Sequence, residues 1–433
     1  MMEQQFIDIL RHELVTTIGC TEPTAIVITA AYAKKYVQGE VEHIKVKASR
    51  NIIKNAFSVK IPGTDSCGIN LAAAIGTMEL DPGKNLEILS DLKREDILAA
   101  KNMVDNGLVT VELADSPKKI YVEVVVETAN SYSRAVVEDF HDNVVLIEVN
   151  GEGKKIEKNS QTSHEEILKM DDVNLDSIIN FINEVDIGKL DLIKKCIKLN
   201  TCICLEGLNG NYGLNVGKNI KSSIDGKALL DDNSNFAIAL TAAGSDARMA
   251  GCNLPVMSNS GSGNQGISAT MPVVGFAINI NSNDETVLRA VTLSNLVTIY
   301  IKSILGRLSP LCGATIASTG ACCGIVYLMG GNSEEIKACI QNIMGNVTGM
   351  LCDGAKSGCA LKVATCTSAA FQSAICIMEG DYLSSTDGII EEDPEDTIKN
   401  FSRIGNQGMK EADKIVLDVM MKKTNSDQQI CDI

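Results

Sequence analysis

Tryptophan is absent from this 433-residue sequence and aromatics make up only 4% of it, so its cores must be built from Ala, Val, Ile, Leu and Met. Cores of small side chains let helices pack closely. Basic residues are also short: 39 Lys plus Arg stand against 55 Asp plus Glu, a net charge of −16. A field of that sign repels phosphate backbones and anionic membranes, so neither nucleic acid nor a membrane surface is an expected partner. The opening residues, MMEQQFIDILRHELV, carry acids in an amphipathic pattern. They lack the basic start, apolar core and small-residue cleavage site of a secretory signal, which predicts a cytoplasmic protein. Continuous apolar runs are missing as well. The window LSPLCGATIASTGACCGIVYLMGGN reaches membrane-spanning length but is rich in Gly, Ser, Thr and Cys, and this predicts a buried helix.

What the chain does have is cysteine, 15 in all. An odd number in a long chain without an export signal points to free, ligating or catalytic thiols in a reducing compartment rather than to disulfides. The hydrophobic periodicity gives an α+β fold, a mixed α/β region followed by a large all-helical domain. Residues 2–15 read as a helix; Gly19 breaks the run, and TEPTAIVITAAYAKKYV reads as a second helix with Thr21 as its cap and Pro23 in its first turn. Residues 1–40 are expected to pack toward the helical domain. A mixed domain, 41–160, carries strands at VEHIKVKA, NLEILSDL, LVTVELAD, KIYVEVVVET and NVVLIEVNG, with helices at 68–78 and 94–106. The polar stretch 150–166 reads as a linker with a boundary near 160. The third domain, 161–433, is expected to be helical at 174–184, 188–205, 233–250, 264–279, 284–306, 313–330, 333–351, 359–378 and 394–422.

The cysteines on apolar helical runs or their edges, Cys196, Cys202, Cys204, Cys252, Cys339, Cys366 and Cys376, read as small hydrophobes. Cys431 falls in an expected frayed tail. Cys352 and Cys359 differ, because they flank DGAKSG, a turn-forming stretch that can aim both sulfurs into one space. Only four histidines occur, all before the helical half, which disfavours zinc. A third thiolate for an iron-sulfur cluster could come from Cys312 or from the adjacent Cys322 and Cys323, and spacing does not choose among them. The loop PVMSNSGSGNQGISA leads into a helix, a setting in which backbone N–H groups can grip a carboxylate. SRNIIKNAFSVKIPGT gathers Arg50, Lys54, Lys60, Asn51 and Asn55 in an acidic protein and suits a small acid substrate or a salt-bridged surface equally. Cys20 starts a helix, where the dipole favours a thiolate, although Glu22 opposes it.

Through IGCTEPTA, SRNIIKNAFSVKIPGT, SNSGSGNQGI, LCGATIASTGACCGIVYLMGG and LCDGAKSGCALK, the chain resembles the L-cysteine desulfidase family, a relative of the iron-sulfur L-serine dehydratase alpha chain. The resemblance runs nearly end to end. It implies a [4Fe-4S] cluster held by Cys312, Cys352 and Cys359, with Cys20 as the catalytic cysteine. It also implies breakdown of L-cysteine to pyruvate, ammonia and hydrogen sulfide without pyridoxal phosphate. In such a scheme Cys20 is expected to remove the α-proton, and Lys54, Asn55 and the loop residues Ser260, Gly261, Ser262, Gly263, Asn264 and Gln265 to hold the amino-acid substrate. Small-residue apolar helices are compatible with a homodimer. Three rivals stand beside this expectation: an L-serine dehydratase using the same cluster, a non-catalytic iron-sulfur sensor, and a helical protein with no cofactor.

Overall fold

The computed structural model describes residues 2–154, 170 and 172–424. Its first half is the expected mixed region. Helix α1 (Met2–Glu13) leads into strand β1 (Thr16–Ile18) and helix α2 (Thr21–Lys34); β2 (Val41–Ala48), α3 (Arg50–Ala56), α4 (Ile69–Gly76) and α5 (Arg94–Asp105) follow. Strands β3 (Val109–Leu113), β4 (Tyr121–Thr128), β5 (Ser131–Glu138), β6 (Val144–Val149) and β7 (Glu152–Gly153) complete a six-stranded sheet in the order β3-β2-β4-β5-β6-β7. Its one parallel pair is β2 with β3, joined across α3, α4 and α5; the other pairs are antiparallel. The buried residues of α2 (Ile26, Val27, Ala30) and α4 (Leu71, Ile75) meet Ile44, Val46, Val122, Val124 and Val126 of the sheet in one core.

Beyond residue 170 the chain is predominantly helical, as expected. It comprises α6 (Leu175–Glu184), α7 (Asp191–Asn209), α8 (Val216–Asp225), α9 (Asn233–Met249), α10 (Gly263–Asn279) and α11 (Asp284–Leu305), then α12 (Gly313–Leu328), α13 (Ser333–Val347), α14 (Cys359–Met378), α15 (Pro394–Arg403) and α16 (Lys410–Thr424). Strand β8 (Pro255–Met257) interrupts the series. The larger core lies here and takes in Phe6, Ile9 and Leu10 of α1, so the amino-terminal helix packs with α6 rather than with the sheet. The uncharged window becomes α12, whose residues Ala314 to Val326 are all buried. By length and composition α11 and α14 could cross a membrane, yet most of the apolar window of α11 is enclosed by neighbouring helices.

Several elements depart from expectation. NLEILSDL is a 3₁₀ run, Pro82–Asp91, because Pro82 stands at its first turn and Asp81 caps it through Gly83 N–H at 2.9 Å. SYSRAVVE forms strand β5, whose mixed pattern hides a central position between β4 and β6. Helix α8 is overlooked in a polar stretch, although Val216, Ile220 and Ile224 recur every fourth residue. Residues 394–422 are broken by a π-helical turn at Ile404–Gly408. The expected linker lies mainly, and Cys431 wholly, outside the described residues. Among the described residues, thirteen cysteines are free thiols.

Candidate functional site

Strands β1 and β8 pair antiparallel, Thr16 opposite Met257 and Ile18 opposite Pro255. This short ribbon joins the two halves of the sequence and delivers two helix starts to one corner. From β1 the chain passes Gly19 and Cys20 into α2; from β8 it passes Ser258 to Ser262 into α10. Ser258 N–H and Oγ both donate to the Val15 carbonyl, at 2.9 and 2.7 Å, and Ser260 N–H donates to the Glu13 carbonyl at 3.0 Å. The Thr21 hydroxyl donates to the Gly261 carbonyl at 2.8 Å. Two expected features, Cys20 and the Ser/Gly/Asn loop, are therefore neighbours.

Cys20 is the N-cap residue of α2, with extended backbone and no side-chain cap. Its side chain is 2% exposed and packs with Val59 and Met249 beside Ala355 and Cys359. Burial pushes the thiol up to about 12; Arg248 pulls the other way, while Glu22 and Cys359 add to the rise. The helix terminus thus fails to make a resting thiolate, because loss of solvation outweighs it.

Arg248, at the end of α9, is buried beside this thiol. Its Nη2 donates to the Gly19 carbonyl at 3.0 Å and its Nη1 to Asn264 Oδ1 at 3.3 Å. Glu22 lies one residue beyond Thr21 and accepts from Asn55 Nδ2 at 2.9 Å; His141 Nε2 stands 3.9 Å from the same carboxylate oxygen. Burial holds His141 below the usual imidazole range, against the pull of Glu22, so the ring is neutral at pH 7. A Cβ at Gly261 would come within 3.2 Å of His141 Nδ1, which fixes the ring against the loop. At the other edge Gln265 Nε2 donates to Asn259 Oδ1 at 3.1 Å, and Gln265 Oε1 abuts Gly313, the residue after Cys312.

Four buried polar atoms in this corner have no hydrogen-bond partner: Asn55 Oδ1, His141 Nε2, Arg248 Nε and Gln265 Oε1. Buried polar groups are nearly always paired, and each unpaired one costs about 1–3 kcal/mol. Their gathering around Cys20 marks a place where a polar ligand would satisfy them. Ser262 caps α10 by accepting from Gln265 N–H at 3.3 Å, and the N–H groups of Gly263 and Asn264 belong to the first turn, outside the helix ladder. Acceptors, a neutral imidazole, a guanidinium and a helix terminus are what the ammonium and carboxylate of an amino acid require. Lys54 is differently engaged, since its Nζ forms an ion pair with Asp413 at 2.6 Å and reaches the Cys352 carbonyl at 3.3 Å.

The expectation of a [4Fe-4S] cluster does not hold. The three segments do meet: Cys312 N–H donates to the Met350 carbonyl at 2.9 Å, and Cys352 N–H to the Pro310 carbonyl at 2.7 Å. Yet among the described residues no three His, Cys, Asp or Glu side chains are grouped so that they could hold a metal ion. The three thiols still act on one another electrostatically, but their packing partners differ. Cys359 packs with Cys20 and donates to the Gly354 carbonyl at 3.6 Å, whereas Cys312 packs with Met350 against Ala314, Val363 and Cys366. Burial, with the neighbouring Cys352 adding to it, pushes the Cys312 and Cys359 thiols up. The metal-binding assignment of Cys312, Cys352 and Cys359 is withdrawn, and the iron-sulfur sensor falls with it.

Sequence reasoning missed Arg248 and His141. Arg248 ends an apolar run, TAAGSDARMAG, where one cation among small residues was a usable signal; His141 was one of only four histidines and sits in a turn after β5. Comparison with known proteins agrees with the fold. Residues 83–418 match the family described as serine dehydratase alpha chain. The chain is 44% identical to a UPF0597 protein of Oleidesulfovibrio alaskensis, over 97% of this chain and 98% of that one. It is 41% identical to a UPF0597 protein of Clostridium perfringens over 99% and 100%, and 40% identical to one of Parabacteroides distasonis over 98% and 99%. With matches of that length to both, this chain belongs to the UPF0597 proteins within the serine dehydratase alpha chain family.

Proposed function

We propose that the protein is a carbon–sulfur lyase that converts L-cysteine and water to pyruvate, ammonia and hydrogen sulfide without pyridoxal phosphate. The observation that carries this is the set of unpaired buried polar atoms around Cys20, on Asn55, His141, Arg248 and Gln265. Arg248 and the first turn of α10, with Ser260, Gly261, Ser262, Gly263 and Asn264 shaping its approach, hold the substrate carboxylate. Asn55 and Gln265 offer carbonyl oxygens to the ammonium. Neutral His141 takes the α-proton, and Glu22, 3.9 Å away, steadies the imidazolium that forms. The Cβ–S bond breaks with its electron pair on sulfur, HS⁻ departs, and 2-aminoacrylate hydrolyses through its imine to pyruvate and ammonia.

Cys20, a thiol at rest, is then the proton donor and not the base expected from the resemblance. The demand on it is slight for sulfide, a good leaving group, and heavy for hydroxide. The family description favours a second reading, dehydration of L-serine in the same corner. Sulfide release from L-cysteine and pyruvate release from L-serine by the purified protein separate the two. Turnover of L-cysteine is expected, with Cys20→Ala affecting any L-serine turnover more than L-cysteine turnover. Efficient turnover of L-serine alone would exchange the first reading for the second, and turnover of neither would end both.

A further inference from the structure

A cavity of about 770 Å³ opens on the far side of the Ser258–Ser262 loop, lined by Glu13, Ser260, Ile299, Lys302, Ile304 and Arg307. Its volume is in the ordinary range for small-molecule sites, roughly 300–1,000 Å³. The charged groups in its wall are mostly spoken for. Arg307 pairs with Glu13, whose carboxyl is pushed up by burial but held low on balance by Arg307 and His12. Glu395 accepts from Tyr300 Oη at 2.6 Å and from Leu175 N–H at 2.8 Å, and Asp172 is exposed.

Lys302 is the exception. It is 6% exposed, and among the described residues its ammonium has neither a hydrogen-bond partner nor a carboxylate within ion-pair distance. The groups that act on it are the Cys352 and Cys312 thiols and two further cations, Lys119 and Arg307. Burial pulls its pKa down to about 8, the mark of a cation held without compensation. Removing a buried charge from water without a partner costs several kcal/mol, which a bound anion would recover.

We propose that this cavity binds a small aliphatic monocarboxylate, with Lys302 Nζ as its counter-ion. One unpaired positive charge in a wall that also carries three carboxylates suits a single negative charge, not a phosphate. The acid carries no α-ammonium, because that group would face Lys302 and the cations around it. Ile299 and Ile304 supply the apolar wall for its carbon chain. The proposal is independent of the lyase reading, since such an acid has neither an amino group nor a β leaving group.

Calorimetric titration and thermal-shift measurements on the full chain with 4-methylpentanoate test it, with 4-methylpentanamide and inorganic phosphate as controls. One saturable site is expected, at least about tenfold tighter for the acid than for the amide, a difference of about 1.4 kcal/mol, and not displaced by phosphate. Lys302→Met should weaken the acid at least tenfold and Lys302→Arg by much less. Ser303→Tyr, at an exposed position on the rim, should block binding without altering charge. Equal affinity for acid and amide, competition by phosphate, unchanged binding in Ser303→Tyr or a folded Lys302→Met, or no saturation below about 10 mM would each overturn the proposal.

Discussion

Two cysteine neighbourhoods meet in this molecule and are built on opposite principles. Around Cys20 the polar groups are buried and left partly unpaired, on Asn55, His141, Arg248 and Gln265. Around Cys352, more than 300 residues along the chain, polar groups are tied to one another. Asp353 is gripped by both Lys356 and Lys362, Lys362 Nζ also reaches the Leu351 carbonyl at 2.6 Å, and Lys54 bridges Asp413 and the Cys352 carbonyl. Cysteines occur in both, so cysteine itself does not mark the functional corner. Unsatisfied hydrogen-bonding capacity gathered on several neighbouring residues does, because a polar ligand bound there can offset the cost the fold carries.

The largest expected effect tests the first neighbourhood. His141→Asn keeps size and polarity but removes the proton acceptor, and should lower kcat for L-cysteine by about 10²- to 10⁴-fold with little change in KM or melting temperature. Arg248→Lys should act mainly on KM, by roughly tenfold or more, because a lysine cannot keep the Gly19 and Asn264 contacts while serving a carboxylate. Comparable losses in kcat from both variants would mean that the corner acts as one unit and that the division of roles is wrong.

The second neighbourhood should respond in stability. Asp413→Asn leaves Lys54, 1% exposed, without its counter-ion and should cost about 3 kcal/mol in denaturant unfolding, the scale for a broken buried pair. Gly354→Ala should cost a similar amount, since φ is +91° there and an added Cβ would stand 2.5 Å from the Lys54 carbonyl oxygen. A loss under about 1 kcal/mol in both would show that this region is looser than its contacts imply.

Much of the scaffold was legible in the sequence, and the functional corner only in part. Gly19, Thr21 and Pro23 announced the start of α2, although its cap is Cys20 and not the expected Thr21, and the Ser/Gly/Asn run announced the start of α10. Their adjacency was not legible, because it depends on a three-residue ribbon between segments about 240 positions apart. Nor was the thiol's protonation state, since the helix start is local whereas the burial that overrides it comes from Val59 and Met249. The turn between Cys352 and Cys359 was read correctly as a turn. What each sulfur touches was set by Met350, Cys366 and Cys20, which no spacing rule contains.

The smallest effect probes the border between the neighbourhoods, at Asp246 on α9, two residues before Arg248. Its Oδ2 accepts from Gly217 N–H at 3.0 Å, while Oδ1 is buried and unpaired. Burial pushes its carboxyl up to about 6, against the pull of the Gly217, Val216 and Leu214 N–H groups. A folded-state pKa above the unfolded value means that the native chain binds the proton more tightly. That contribution to stability is fully present below about pH 4 and is lost as the pH rises through about 6. Asp246→Asn keeps an acceptor for Gly217 and removes the charge. It should therefore raise unfolding free energy at pH 7.5 by about 1–2 kcal/mol, after allowance for solvent near the carboxylate, and by almost nothing at pH 4. A loss of stability at pH 7.5 would instead make the carboxylate a needed partner of Arg248, and the guanidinium would no longer be free to take a substrate anion.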